Sequence, residues 1–207
     1  SLIGDIVFAV TGDFYSHQVE EKIFAPLGMT HATYGREALM AGSNWAKPHV
    51  YNGKAWVSTV PNENYSHGPP AAGVNASIED MAKWLNAQLG HNPDVLSAQL
   101  LEKIQTPQVN TPGELRSSGW RNERLTGAAY AMGWRVFDYK GHKLVFHGGA
   151  VRGYRSLIAF LPEQDTGLVV LWNSESAAPS AFLPAWFDLA LGIQGGDWLG
   201  LSDPTGN

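Results

Sequence analysis

The sequence predicts an α+β fold in which helices flank one antiparallel β-sheet. Apolar residues recur at helical spacing in the first half of the chain. Short strand-like runs then follow, at 130–136, 143–147, 154–161 and 167–173. The connections between these runs are too short for parallel crossovers, so neighbouring strands are expected to be antiparallel. A last amphipathic helix, at 181–191, is expected to pack on the sheet.

The first predicted helix covers residues 2–12 and carries its apolar residues on one stripe. The second begins at the N-cap Ser16 and ends at Phe24, because Pro26 stops it. Residues 35–70 are rich in Gly, Pro, Asn and aromatic residues, which predicts a long irregular segment. Such segments often form a binding or lid region.

Two further helices are predicted in the middle of the chain. Ser77 is a strong N-cap, and Asp80 follows it three residues later in a capping-box arrangement. This helix is expected to reach about Leu89, where Gly90 ends it. A short helix is also predicted over residues 97–105.

Composition narrows the class of protein. The chain has 207 residues, of which 44% are hydrophobic and 16% charged, and this predicts one domain over residues 1–193 followed by a polar tail at 194–207. The net charge is −5 without a basic cluster, so no nucleic acid partner is expected. The apolar runs are too short to span a membrane. The absence of cysteine and the spacing of the seven histidines predict neither a metal site nor a cofactor.

The segment around His147-Gly148-Gly149 lies between two strand-like runs and leaves two interpretations open. Glycines weaken a strand unless something must approach the backbone closely. A bare strand edge beside a histidine could bind an extended substrate and donate an N–H to a developing oxyanion. The alternative is a glycine-rich turn with an incidental surface histidine, and local chemistry alone favours this turn.

Three sets of segments occur together in one order and spacing. They comprise residues 2–12 with 23–29, residues 70–77 with 80–85, and residues 130–134, 147–149, 161–163 and 169–173. Together they resemble the serine β-lactamase, penicillin-binding protein and esterase superfamily, in its class C-like branch. The resemblance implies a β-lactamase/transpeptidase-like fold.

That superfamily uses a Ser-x-x-Lys nucleophile, a Tyr-x-Asn element and a third motif of the form Lys-Thr/Ser-Gly or His-x-Gly. His147-Gly148-Gly149 matches the third motif. The resemblance implies that His147 supports the substrate and the catalytic tyrosine, that Gly149 leaves room for the substrate, and that the N–H of Ala150 serves the oxyanion. The other implied substrate contacts are Gly148, Arg152 and Tyr154.

The first two motifs are absent, since no serine is followed by lysine three residues later. Residues 15–17 and 65–67 look superficially like Tyr-x-Asn, but their positions are wrong for it. The chain is therefore expected to be the C-terminal portion of such a domain, N-terminally incomplete and inactive alone. Its partners would be a small-molecule or peptide substrate and the missing N-terminal part of the same protein, which would cover an exposed sheet edge or apolar face.

The parent protein is expected to hydrolyse a β-lactam, a D-peptide or an ester through an acyl-enzyme. One alternative is a catalytically dead domain that binds cell-wall peptide or a protein partner. Another is a carbohydrate- or protein-binding module, suggested by the eight tryptophans and the long loop. A periplasmic or extracellular location is expected.

Overall fold

The computed structural model describes residues 2–64, 68–117 and 119–201. Within these ranges the chain forms helices and antiparallel sheets, which confirms the predicted α+β class. The chain divides into two compact units. The first comprises Ser1–Ala98, Gly149–Arg155 and Leu171–Glu175, and the second comprises Gln99–Gly148, Ser156–Val170 and Ser176–Asn207.

The helices and strands have the following bounds. The α-helices are α1 (Leu2–Thr11), α2 (Tyr15–Val19), α3 (Ala25–Leu27), α4 (Gly35–Ala41), α5 (Pro69–Ala72), α6 (Ile78–Gln88), α7 (Ala98–Gln105), α8 (Trp120–Arg124) and α9 (Ala178–Leu191). The strands are β1 (Thr33–Tyr34), β2 (His49–Tyr51), β3 (Trp56–Ser58), β4 (Val74–Asn75), β5 (Val109–Asn110), β6 (Leu125–Tyr130), β7 (Arg135–Tyr139), β8 (His142–Val151), β9 (Tyr154–Leu161) and β10 (Thr166–Trp172). A π-helical turn covers Glu20–Phe24, and 3₁₀ turns cover Pro112–Arg116 and Pro162–Gln164.

The main sheet has six strands in the order β10-β9-β8-β7-β6-β5, where four were predicted. The predicted strand at 130–136 is wrong, because a turn separates β6 from β7 inside that range. Gly133 adopts a φ of 81° there, a left-handed conformation that breaks a strand. Strand β6 escaped prediction because its sequence, Leu-Thr-Gly-Ala-Ala-Tyr, contains small residues that are depleted in strands.

The core of the second unit lies between the sheet and α9. Phe137 and Phe146 pack edge to face with their ring centroids 4.9 Å apart, and Leu144 lies in the same buried cluster. From α9, Leu183 and Phe187 complete this cluster. The predicted packing of the last helix on the sheet is therefore confirmed.

A buried carboxylate ties α9 to the sheet. Asp188, 2% exposed, accepts a 2.6 Å hydrogen bond from the Tyr139 hydroxyl and two 2.9 Å bonds from the Arg124 guanidinium. The Trp198 indole donates a further 2.7 Å bond from within the predicted polar tail. Burial by itself raises the pKa of the Asp188 carboxyl, but these donors outweigh it and hold that pKa below its ordinary 3.8.

The first unit contains the capping box that the sequence predicts. The Ser77 hydroxyl accepts from the N–H of Asp80, and the Asp80 carboxylate accepts from the N–H of Ser77 at the start of α6. The same carboxylate also accepts from the N–H of His31 at 3.2 Å. One local motif thus joins α6 to a segment 49 residues away.

The predicted ends of the second helix are wrong. The helix begins with Phe14 rather than Ser16 as its N-cap, and Asp13 accepts hydrogen bonds from the Phe14 N–H and from Gln18. Pro26 does not stop the helix, because it occupies the first turn of α3, where a missing backbone N–H breaks no helical bond. The helix ends instead at Gly28, which is left-handed.

The predicted irregular segment at 35–70 contains a helix and a hairpin. Helix α4 opens it, and β2 pairs antiparallel with β3 around a turn at Asn52-Gly53. The Asn52 side chain accepts from two backbone N–H groups of that turn, at 3.0 Å each. Asn-Gly is a strong hairpin signal. Residues 65–67 lie outside the described residues.

Helix α1 is exposed along its length. It buries no residue, and Leu2, Ile6 and Val10 of its apolar stripe are 79%, 56% and 80% exposed. None of the described helices has the length and apolar character that a membrane span requires. The apolar stripe predicted from the sequence therefore exists, but it faces away from the described core.

Candidate active site

Strand β8 contains the whole His147-Gly148-Gly149 motif. The strand runs from His142 to Val151, so these three residues do not form a turn, and the hairpin turn follows at Arg152 and Gly153. The role of His147 in binding a substrate stays a prediction. Neither Gly148 nor Gly149 has a positive φ. A Cβ at Gly148 would meet only the Ser156 carbonyl oxygen, at an ordinary 3.8 Å. Neither the local backbone nor packing therefore demands glycine at position 148.

His147 lies in the second unit beside Tyr130 and near a cation. Its Nε2 is 3.4 Å from the Tyr130 hydroxyl, and the two rings meet edge to face. Burial lowers the pKa of the His147 imidazole, and the positive charge of Arg135 lowers it further, while a hydrogen bond with the Gly148 backbone opposes them. Arg135 itself pairs with Glu114. Burial and the charge of Arg135 therefore both favour the neutral form of the His147 imidazole.

The titration of His147 should follow this environment. We expect NMR to give a pKa below the ordinary 6.5 for its imidazole. Arg135→Gln should raise that pKa, because it removes a positive charge that disfavours the imidazolium. Since the folded pKa is depressed, His147 contributes stability above about pH 6.5 that is lost as the pH falls through the folded pKa. A pKa above 6.5, or no rise in the Arg135 variant, would contradict this account.

Gly148 also lies in the second unit, and the other predicted site residues lie in the first unit, between the end of β8 and the start of β9. Ala150 and Arg152 are exposed, and Gly149 is half-buried. Tyr154 donates a 2.7 Å hydrogen bond from its hydroxyl to the carbonyl oxygen of Ala46, and burial raises the pKa of its phenol. This contact gives Tyr154 a structural role, while its role in substrate binding stays a prediction.

Side-chain hydrogen bonds brace the turn between β8 and β9. The Arg155 guanidinium donates to the carbonyl oxygens of Val151 at 3.1 Å and Tyr154 at 2.7 Å. Gly153 adopts a φ of 80°, and a Cβ placed on it would lie 2.3 Å from the Cβ of Pro48. Glycine is therefore required at position 153 both by its left-handed backbone and by this close approach.

Tyr130 and Arg135 shape the environment of His147, although no sequence motif assigns either residue a role. Arg135 is the cross-strand partner of Phe146, the residue before His147. The strand predicted over 130–136 runs through the turn at Gly133, so the pairing of Arg135 with Phe146 did not follow from the sequence. The described part of the chain gathers no three His, Asp or Glu side chains into a potential metal site.

Similarity to known proteins extends over most of the chain. A family model described as Beta-lactamase matches residues 1–192. The chain is 29% identical to the unguisins hydrolase ungD′ of Aspergillus campestris over 171 residues, which is 82% of this chain and 31% of that protein. It is also 29% identical to protein flp of Staphylococcus aureus over 175 residues, which is 84% of this chain and 32% of that protein. The chain thus spans about a third of the length of these curated relatives.

Solved structures show the same similarity. An octameric penicillin-binding protein homologue from Pyrococcus abyssi superposes with a TM-score of 0.78 at 28% identity, over 92% of this chain and 41% of that one. A class C β-lactamase mutant superposes with a TM-score of 0.64 at 19% identity, over 92% of this chain and 56% of that one. The second likeness concerns the fold alone.

Proposed function

This chain belongs to the β-lactamase family of serine hydrolases, and we propose that in a full-length protein it forms one wall of an active site. That site hydrolyses a β-lactam, a D-peptide or an ester through an acyl-enzyme. The observation that carries the proposal is the course of β8, which places His147, two glycines and the exposed Ala150 along one uninterrupted strand. The relatives that support hydrolysis include a protein named as an unguisins hydrolase.

The chemistry assigns a task to each part of this strand. Acyl transfer develops negative charge on the substrate carbonyl oxygen, and a backbone N–H aimed at that oxygen stabilises the transition state. In the proposed site Ala150 supplies this N–H. His147, whose surroundings favour the neutral imidazole, forms a hydrogen bond with the substrate or with the catalytic tyrosine that the family resemblance implies. Glycine at positions 148 and 149 lets an extended substrate approach the strand.

The nucleophile of the proposed reaction lies outside this sequence. Acyl-enzyme chemistry needs a serine activated by an adjacent base. No serine of this chain is followed by lysine three residues later. The chain therefore supplies the wall of the site that binds the substrate and stabilises its oxyanion, but not the group that attacks.

Replacing His147 by alanine in the full-length protein should lower the acylation rate at least about tenfold, because a polar transition-state contact is lost. The rate is measured with a chromogenic β-lactam and a short p-nitrophenyl ester. His142→Ala is the matched control, since His142 lies at the other end of β8 and contacts Gln164 instead. An unchanged rate in the His147 variant would show that this histidine is only structural.

The isolated chain provides a second control for the same experiment. It should hydrolyse neither substrate, because it lacks an activated serine. Turnover by the isolated chain that His147→Ala abolishes would place the nucleophile within these 207 residues and overturn this division of roles.

We further propose that α1 is where the rest of a full-length protein packs. Its exposed apolar stripe consists of Leu2, Ile3, Ile6 and Val10. Contiguous exposed apolar surface is typical of an interaction site. The occupant we infer is the N-terminal part of the same protein, in keeping with the share of the relatives' length that this chain covers.

A further inference from the structure

Three distant segments of the first unit are closed into a ring of hydrogen bonds. The backbone N–H of His49 donates to the carbonyl oxygen of Gly153 at 3.1 Å. The N–H of Gly153 donates to Oε1 of Glu175 at 3.1 Å. The N–H of Glu175 donates back to the carbonyl oxygen of His49 at 3.3 Å. The ring therefore joins β2, the β8–β9 turn and the segment after β10.

Further contacts hold the partners of this turn in place. The His49 Nδ1 lies 2.9 Å from the carbonyl oxygen of Asn173, and the Asn173 amide donates to the carbonyl oxygen of Lys47 at 3.0 Å. Pro48 meets the backbone of Gly153 so closely that a Cβ there would clash. The turn is thus held both by close packing and by hydrogen bonds.

Glu175 is the one member of this ring that contributes through its side chain. Glu175 accepts a hydrogen bond from the N–H of Gly153, a left-handed residue in the turn between two strands, and a buried backbone N–H needs an acceptor. The Glu175 side chain is half-buried, which limits the water that could replace it. Loss of the carboxylate would leave this N–H without its acceptor and free the turn to tilt.

We propose that Glu175 is a positioning residue that fixes the β8–β9 turn and, through it, the backbone N–H of Ala150. This inference rests on the proposed function, in which that N–H stabilises the oxyanion. Ala150 lies three residues before Gly153, near the end of β8. Oxyanion donors act only within a narrow range of distance, and a displacement of about 1 Å from a remote change can cost about a hundredfold in rate.

The test compares substitutions at position 175 in the full-length protein. Glu175→Ala and Glu175→Asp should both lower kcat for a short p-nitrophenyl ester by about tenfold or more, because neither side chain presents an oxygen where Glu175 Oε1 lies. KM should change far less, since the substrate contacts remain. Glu175→Gln should retain most of the wild-type kcat, because the glutamine amide oxygen can accept the same hydrogen bond from the Gly153 N–H.

Glu163→Ala is the matched control, because Glu163 is an exposed glutamate on the 3₁₀ turn after β9. Rates are expressed per active site by burst titration, so that a loss of folded protein is not read as a loss of rate. A second readout is amide hydrogen exchange at Gly153, which should accelerate in Glu175→Ala and stay slow in Glu175→Gln.

The outcomes separate this inference from the proposed function. An active wild-type protein whose kcat survives Glu175→Ala would overturn the positioning role alone. Equal losses in Glu175→Gln and Glu175→Ala would overturn it too, because they would make the negative charge, not the hydrogen bond, the cause. A wild-type full-length protein that hydrolyses no β-lactam, D-peptide or ester would overturn the proposed function and, with it, the positioning role.

Discussion

Asp188→Ala should lower the free energy of unfolding by about 3–5 kcal/mol, as expected when one partner of a buried ion pair is removed. The variant leaves the Arg124 guanidinium, 11% exposed, without its carboxylate. It also leaves the fully buried Tyr139 hydroxyl without an acceptor and the Trp198 indole without its hydrogen bond. Urea denaturation followed by circular dichroism measures the change in unfolding free energy.

A matched control separates burial from charge in this experiment. Glu123 also lies near Arg124, at 3.8 Å, but is 58% exposed, so Glu123→Ala should cost at most about 1 kcal/mol. Equal effects of the two substitutions would contradict the buried network as the link between α9 and the sheet.

The contribution of the Asp188 carboxylate to stability should depend on pH. Its pKa is held below 3.8, so this contribution is present above about pH 4 and is lost as the pH falls further.

Gly153→Ala should lower the free energy of unfolding by about 2–5 kcal/mol, the sum of two effects. A left-handed backbone disfavours any L side chain by about 1–2 kcal/mol, and Gly153 has a φ of 80°. Its added Cβ would also lie 2.3 Å from the Cβ of Pro48, so one backbone must move. Such overpacking typically costs about 1–3 kcal/mol. The loss is measured by the same denaturation experiment.

Gly53→Ala isolates the first of these effects. Gly53 also has a positive φ, 92°, but a Cβ on it would meet no atom within 4 Å. This control should therefore cost only about 1–2 kcal/mol, through the backbone alone. If Gly153→Ala cost no more than Gly53→Ala, Pro48 would have to yield freely, and the close packing of the β8–β9 turn would not constrain it.

Local signals predicted much of the fold. The capping box at Ser77 and Asp80 and the strand at 154–161 agree with the structure, because each depends on residues within a few positions of one another. The hairpin at Asn52-Gly53 carried an equally local signal, which was hidden within a segment interpreted as irregular. The strand predicted over 130–136 failed because its β-branched and aromatic residues outweighed the single turn residue Gly133.

The candidate site was likewise predicted only in part from the sequence. The His147-Gly148-Gly149 motif and its family resemblance were visible in the sequence, while local chemistry favoured a turn there. The structure places the motif inside β8, because a strand is decided by its hydrogen-bonded neighbours as well as by its own propensity. The environment of His147 likewise depends on Tyr130, 17 residues away in sequence.

The sequence by itself determined the α+β class, the family and the motif that carries the proposed chemistry. Only the tertiary structure decided that α1 is exposed, that Asp188 joins α9 to the sheet, and that Glu175 holds the β8–β9 turn. The physical reason is distance along the chain. Arg124 and Asp188 are 64 residues apart and His49 and Asn173 are 124 apart, so these contacts depend on how the whole chain packs and leave no local pattern to read.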